Sequence, residues 1–97
     1  MIIQPGGIYF ASRATLRLAT YPRPCLVLRV SASEIDICYF STKLDLIRSD
    51  DILVERMDPD FAFTGLSDSS YLVAASFHPE QPEYFKGAKH LGSATGD

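Results

Sequence analysis

Five short runs rich in β-branched and aromatic residues, at 8–11, 25–30, 34–40, 52–55 and 71–77, are set between turn-forming residues. Each is too short for a stable helix, and at 34–37 the order Glu-Ile-Asp-Ile alternates polar with apolar at the period of a half-buried strand. The run at 25–30 is apolar almost throughout, which predicts burial on both faces. Short strands joined by turns predict a mainly β protein, a small and strongly curved barrel of five or more strands. With 97 residues and 46% apolar content the chain suits one domain over 1–97 with a compact core, and its small polar tail at 93–97 is expected to fray.

The connections carry further constraints. Residues 12–24 are too many for a hairpin turn, and Pro22 and Pro24 deny ladder hydrogen bonds at their own positions, although 15–18 could add a brief extended piece. Asp58-Pro59-Asp60 opens a turn or a single helical turn, and Gly65 is expected to supply a backbone angle closed to other residues before Leu66 returns to the core. At 79–92 the spacing of Tyr84, Phe85, Ala88 and Leu91 predicts a short amphipathic C-terminal helix closing one end of the barrel, with Gly92 as its cap. Gly87 weakens that helix by about 1 kcal/mol relative to Ala.

Cys25 and Cys38 fall in two runs read as adjacent antiparallel strands. A two-residue turn at Ser31-Ala32 would set them opposite one another, but it lacks the Gly, Asn or Asp that such turns demand. A longer connection that offsets the cysteines, leaving two buried free thiols, is therefore expected. Two cysteines and two histidines without ligand spacing predict no metal site.

The net charge of −3 argues against a nucleic-acid binder when taken whole, but its distribution does not. Residues 1–30 carry +4, from Arg13, Arg17, Arg23 and Arg29, and residues 31–97 carry −7. Such asymmetry predicts a basic face for an anionic partner, or else arginines on a solvated surface paired with acids brought near by folding. No run reaches the eighteen or so apolar residues of a membrane span, and no basic segment with a long apolar stretch opens the chain. A soluble, cytoplasmic protein with no membrane association is expected.

A Pro5-Gly6 turn opening into an apolar strand, Arg23-Pro24 followed by another, then Gly65-Leu66 and a Ser-led final strand occur in the order seen in the MazF/PemK (Kid-like) toxins of bacterial toxin-antitoxin systems. The chain resembles that family over roughly residues 4–77. The resemblance implies an SH3-like barrel, a homodimer, an antitoxin protein as a possible partner, and cleavage of single-stranded RNA with no metal or cofactor. Such a site must help a ribose 2′-hydroxyl attack the neighbouring phosphate, and a guanidinium suits it because its planar donors can bind two phosphate oxygens at once.

Arg23 stands where the family has the catalytic arginine of its RP motif. Ser41 and Thr42 fall at the family's catalytic Ser or Thr position at the end of the third strand, and a one-residue register decides which of them faces the site. The family's Arg and Asp in and after the last strand have no match in 74–82, where the arginine is missing and His78 with Glu80 is the remaining candidate for proton transfer. The loop ahead of Arg23 also differs, reading Ala19-Thr20-Tyr21-Pro22 in place of a run containing Gly, Glu or Gln. Arg13 and Arg17 would draw in RNA, and Tyr9, Tyr21 or Phe77 would stack on its bases. Two functional classes follow: a toxin-like endoribonuclease (mRNA interferase), or a non-catalytic barrel of the same family that binds nucleic acid or a peptide.

Overall fold

The computed structural model describes residues 3–10, 23–85 and 88–94. It is mainly β, with little helix. The strands are β1 (Gly7–Phe10), β2 (Pro24–Val30), β3 (Ile35–Ser41), β4 (Ile52–Val54), β5 (Ser70–Leu72), β6 (His78–Glu80) and β7 (Lys89–Ser93), with one helical turn, α1 (Phe61–Thr64). They form a curled antiparallel sheet in the order β4-β5-β3-β2-β1-β7, with β6 added against the first half of β3. The expected strands at 8–11, 25–30, 34–40 and 52–55 correspond to β1 to β4 within a residue or so at each described end. The expected extended piece at 15–18 lies outside the described residues, and among those residues no helix is long and apolar enough to cross a membrane.

β2 and β3 pair through Cys25↔Tyr39, Leu26↔Cys38 and Val27↔Ile37, then slip past a bulge to Arg29↔Asp36 and Val30↔Ile35. The turn between them spans 31–34, closed by hydrogen bonds from Ser31 N–H to the Glu34 carbonyl at 2.9 Å and from Glu34 N–H to Ser31 Oγ at 3.1 Å. Cys25 and Cys38 are therefore one position out of register. Because successive residues of a strand face opposite sides, they enter different clusters and both are free thiols.

Alternation along β1, β2 and β3 builds two apolar clusters, one on each face of the sheet. Tyr9, Cys25, Val27, Ile35 and Ile37 pack with Phe85 and Ala88 on the first face. Ile8, Cys38, Phe40, Leu66 and Leu72 pack on the second, with Leu26, Phe61 and Leu91 against them. Burial of 25–30 on both faces holds only for the first half of β2. Leu28 and Val30 are exposed, since the strand runs past the segments that cover it.

The expected fifth strand at 71–77 is broken. β5 stops at Leu72, a 3-10 turn occupies Ala74–Ser76, and β6 resumes pairing with β3. The cause is Ser76, whose hydroxyl accepts the Tyr39 N–H at 2.9 Å and donates to the Val73 carbonyl at 2.6 Å, while Val73 N–H donates to the Tyr39 carbonyl at 3.0 Å. The turn thus satisfies both backbone groups of Tyr39 where a strand would otherwise have to run.

No C-terminal amphipathic helix forms. Pro82–Phe85 is a 3-10 turn and 89–93 is a strand on β1, paired through Ile8↔Gly92 and Tyr9↔His90. Phe85 and Ala88 enter the first cluster while Leu91 packs against the second, so the apparent stripe is split between two faces. The side chain of Tyr84 lies outside the described residues. A short glycine-containing helix is marginal alone, whereas β7 satisfies the open edge of β1. Gly92 is no cap but a point of close approach: a Cβ there would lie 2.0 Å from the Phe63 carbonyl oxygen. Gly65 ends α1 with φ 71°, as expected, and a Cβ on it would lie 1.9 Å from the Leu91 carbonyl oxygen. The two glycines let α1 sit directly against β7.

Candidate functional site

Arg23 immediately precedes β2, and its carbonyl accepts the Cys25 thiol at 3.3 Å. Continuing the β2–β3 register by two residues from Cys25↔Tyr39 brings Arg23 opposite Ser41. Its guanidinium lies over the Tyr39 ring, 4.8 Å from the centroid, the diagonal neighbour across the strand pair. A cation held there over a ring is stabilised by about 0.5–2 kcal/mol, depending on how far it is desolvated. Tyr39 was not singled out in the sequence; its only signal was its place one residue off the Cys25–Cys38 alignment.

The register also separates the two candidate hydroxyls. Ser41 ends β3 on the face of Tyr39, Ile37 and Ile35, whereas Thr42 lies past the strand end and is exposed. Ser41 Oγ accepts the Lys43 N–H at 3.2 Å, which leaves its own hydrogen to donate elsewhere. The Thr42 carbonyl accepts the Leu44 N–H, part of the turn into the 3-10 segment Leu44–Leu46.

β6 sets His78 opposite Ile37 and Glu80 opposite Ile35, so both side chains share the Arg23 face. They are buried, at 5% and 4% side-chain exposure, with His78 Nε2 and Glu80 Oε1 2.7 Å apart. His78 Nδ1 contacts the Ser76 carbonyl, which can only accept, so Nδ1 carries a hydrogen. Both ring nitrogens are engaged. Both partners lie within two residues on its own segment, which the ladder with β3 holds in the sheet, and the histidine presents no nitrogen to a substrate. Burial first, then the Glu80 carboxylate and Cys38, push the Cys25 thiol up to about 12, and burial likewise raises Cys38, opposed by the Ser76 hydroxyl. Neither thiol is a nucleophile at neutral pH.

The proposed stacking residues divide. Phe77 is 56% exposed and available, but Tyr9 is only 2% exposed. Its ring meets Phe85 edge-on at 6.4 Å between centroids, and its hydroxyl accepts the Gln4 N–H at 3.1 Å. Strand alternation turns Tyr9 inward and leaves its neighbour Phe10 partly exposed. Arg13, Arg17 and Tyr21 lie outside the described residues. Of the other early arginines, Arg29 is paired with Asp36 at 3.0 Å. Among the described residues no three His, Cys, Asp or Glu side chains gather as a metal site would require.

The opposite face carries a cleft of about 430 Å³ that was not anticipated. Phe40, Leu26 and Leu72 contribute to its lining from the sheet, β4 and Phe61 also line it, and Asp58 and Asp60 stand at it as exposed carboxylates. It is apolar and acidic where the Arg23 face is cationic and hydroxylic. Comparisons with models of known protein families, with curated proteins and with solved structures found no match to the chain, so its functional reading rests on these residues.

Proposed function

We propose that the protein is a metal-independent endoribonuclease acting on single-stranded RNA, the toxin-like component of a toxin-antitoxin system built on an SH3-like barrel. The observation that carries this reading is Arg23, held over Tyr39 and in register with Ser41 on one sheet face. The guanidinium binds the non-bridging oxygens of the scissile phosphate, and Ser41 donates its free hydrogen to the same group. As the 2′-oxygen bonds to phosphorus, the bond to the 5′-oxygen breaks, giving a 2′,3′-cyclic phosphate and a 5′-hydroxyl. The 2′-hydroxyl proton passes to solvent and the leaving oxygen takes one from it, because His78 is sealed by its two hydrogen bonds. Phe77 offers a ring on which an unpaired base can stack. Dimerisation, which light scattering would report as twice the 10.7 kDa chain mass, would set two such faces on one surface.

The test is cleavage of a varied single-stranded RNA pool in a metal chelator. Fragments ending in cyclic phosphate are expected, with duplex RNA left intact because its bases cannot be splayed out. Arg23→Ala should lower the rate about 10²–10³-fold, Ser41→Ala should lower it clearly, and Thr42→Ala should leave it near wild type. A wild-type protein inert on every RNA would overturn the catalytic reading. The same face would then belong to a non-catalytic binding module, a reading favoured by the engagement of both His78 ring nitrogens.

A further inference from the structure

We propose that the cleft on the face opposite Arg23 docks an extended segment of a partner polypeptide that has apolar side chains at alternate positions and Arg or Lys at its ends. Two independent observations define that occupant. The first is an open edge: β4 ends the sheet order and, among the described residues, pairs only with β5. It is only three residues long, but it has no Lys, no Pro and no bulge, and its Ile52 and Leu53 are 60% and 43% exposed. An added antiparallel strand would take up its free backbone groups and lower alternate side chains into the apolar cleft, whose volume of about 430 Å³ is that of a ligand pocket.

The second observation is charge. Asp58 and Asp60 line the cleft, and neither has an ion-pair partner among the described residues. Residues 44–72 hold seven carboxylates against Arg48 and Arg56. This field repels RNA, and it repels a second copy presenting the same face. It attracts a basic strand, whose long cationic side chains can lie along the apolar wall and place their charges at the aspartates. The proposal does not depend on RNA cleavage, because it uses other residues on the other face.

The probe is a short fluorescein-labelled peptide with Val at alternate positions, Thr between them and Arg at both ends, followed by anisotropy on the full chain. Saturable binding is expected, weakening with added salt. Replacing Arg by Glu, or Val by Ser, in the peptide should weaken it at least about tenfold, as should Asp60→Lys or Leu53→Glu in the protein. Both protein positions are exposed, so the variants should keep the wild-type fold, checked by circular dichroism. Arg23→Ala should bind the peptide as wild type does. Equal affinity for the Ser-containing peptide would reduce the effect to bulk charge and overturn the proposal. So would indifference to Asp60→Lys, or a protein that binds no peptide but self-associates and becomes monomeric with Leu53→Glu, since the cleft would then serve a second copy.

Discussion

The two faces of this sheet share a backbone and differ in almost everything else. On one, a guanidinium rests on Tyr39 in register with Ser41, above a buried polar pair. On the other, an apolar cleft opens between β4 and α1 beside Asp58 and Asp60. Adjacent residues of β3 belong to opposite sides: Ile37 lies in one cluster and Cys38 in the other. Strand alternation therefore lets a chain of net charge −3 confine a cationic site to one side and collect carboxylates at the other. Whole-chain charge is a poor guide to what such a protein binds.

The comparison can be broken first through the buried pair. Removing one member of a buried hydrogen-bonded pair leaves the other unsatisfied and the volume of the ring unfilled, at a cost of about 3 kcal/mol or more, so His78→Ala should lower the chemical denaturation midpoint sharply, while the exposed Asp60→Lys should barely change it. A small loss from His78→Ala would mean that the pair is not buried as described. Next comes Arg23→Ala, whose loss of roughly 3 kcal/mol of transition-state stabilisation should appear in RNA cleavage with little change in stability. Because His78 presents no ring nitrogen to substrate, His78→Gln should leave the shape of the rate–pH profile unchanged; a limb near 6.5 abolished by that variant would return the histidine to the chemistry.

Smaller effects follow at the break between β5 and β6. Ser76→Ala removes the acceptor of the partly buried Tyr39 N–H, a loss of about 1 kcal/mol or more. Slowed exchange of that amide in wild type, and faster exchange in the variant, would sharpen the account; equal exchange would contradict it. The thiols give the smallest signal under ordinary conditions. With the Cys25 thiol raised to about 12, it should resist alkylation at neutral pH until the protein unfolds. Its folded-state pKa lies above the ordinary value of 9.0, so its contribution to stability is complete below pH 9 and is lost as pH rises toward 12. Constant stability across that range in a Cys25-dependent comparison would contradict the burial.

The strands β1 to β4 were legible because their apolar runs are bounded by Gly, Pro, Ser and Asp, and the free, offset cysteines followed from a turn sequence that cannot make a two-residue loop. The break at 73–77 was not, because a single serine hydroxyl replaces a strand there, and a serine in sequence does not announce its partner 37 residues away. The end of the chain misled for a related reason. Phe85, Ala88 and Leu91 fit a helical period, yet the open edge of β1 and the close approach at Gly92 decide the outcome from elsewhere in the fold. At the candidate site, Arg23 stands out through the resemblance of Arg23-Pro24 to an RP motif, but the choice between Ser41 and Thr42 needed the Cys25↔Tyr39 register, and the inward turn of Tyr9 needed the clusters. The cleft left no motif, since its lining comes from segments scattered along the chain.

The central claim, that RNA belongs to the Arg23 face and not to the cleft, is tested most directly by mapping. Isotope-labelled protein titrated with single-stranded 2′-O-methyl RNA, which cannot be cut at the 2′-position, should show amide shift changes at Arg23, Tyr39, Ser41 and Phe77, with Leu53, Asp60 and Phe61 unmoved. Changes concentrated at Leu53, Asp60 and Phe61, or saturating RNA with no changes around Arg23, would contradict it.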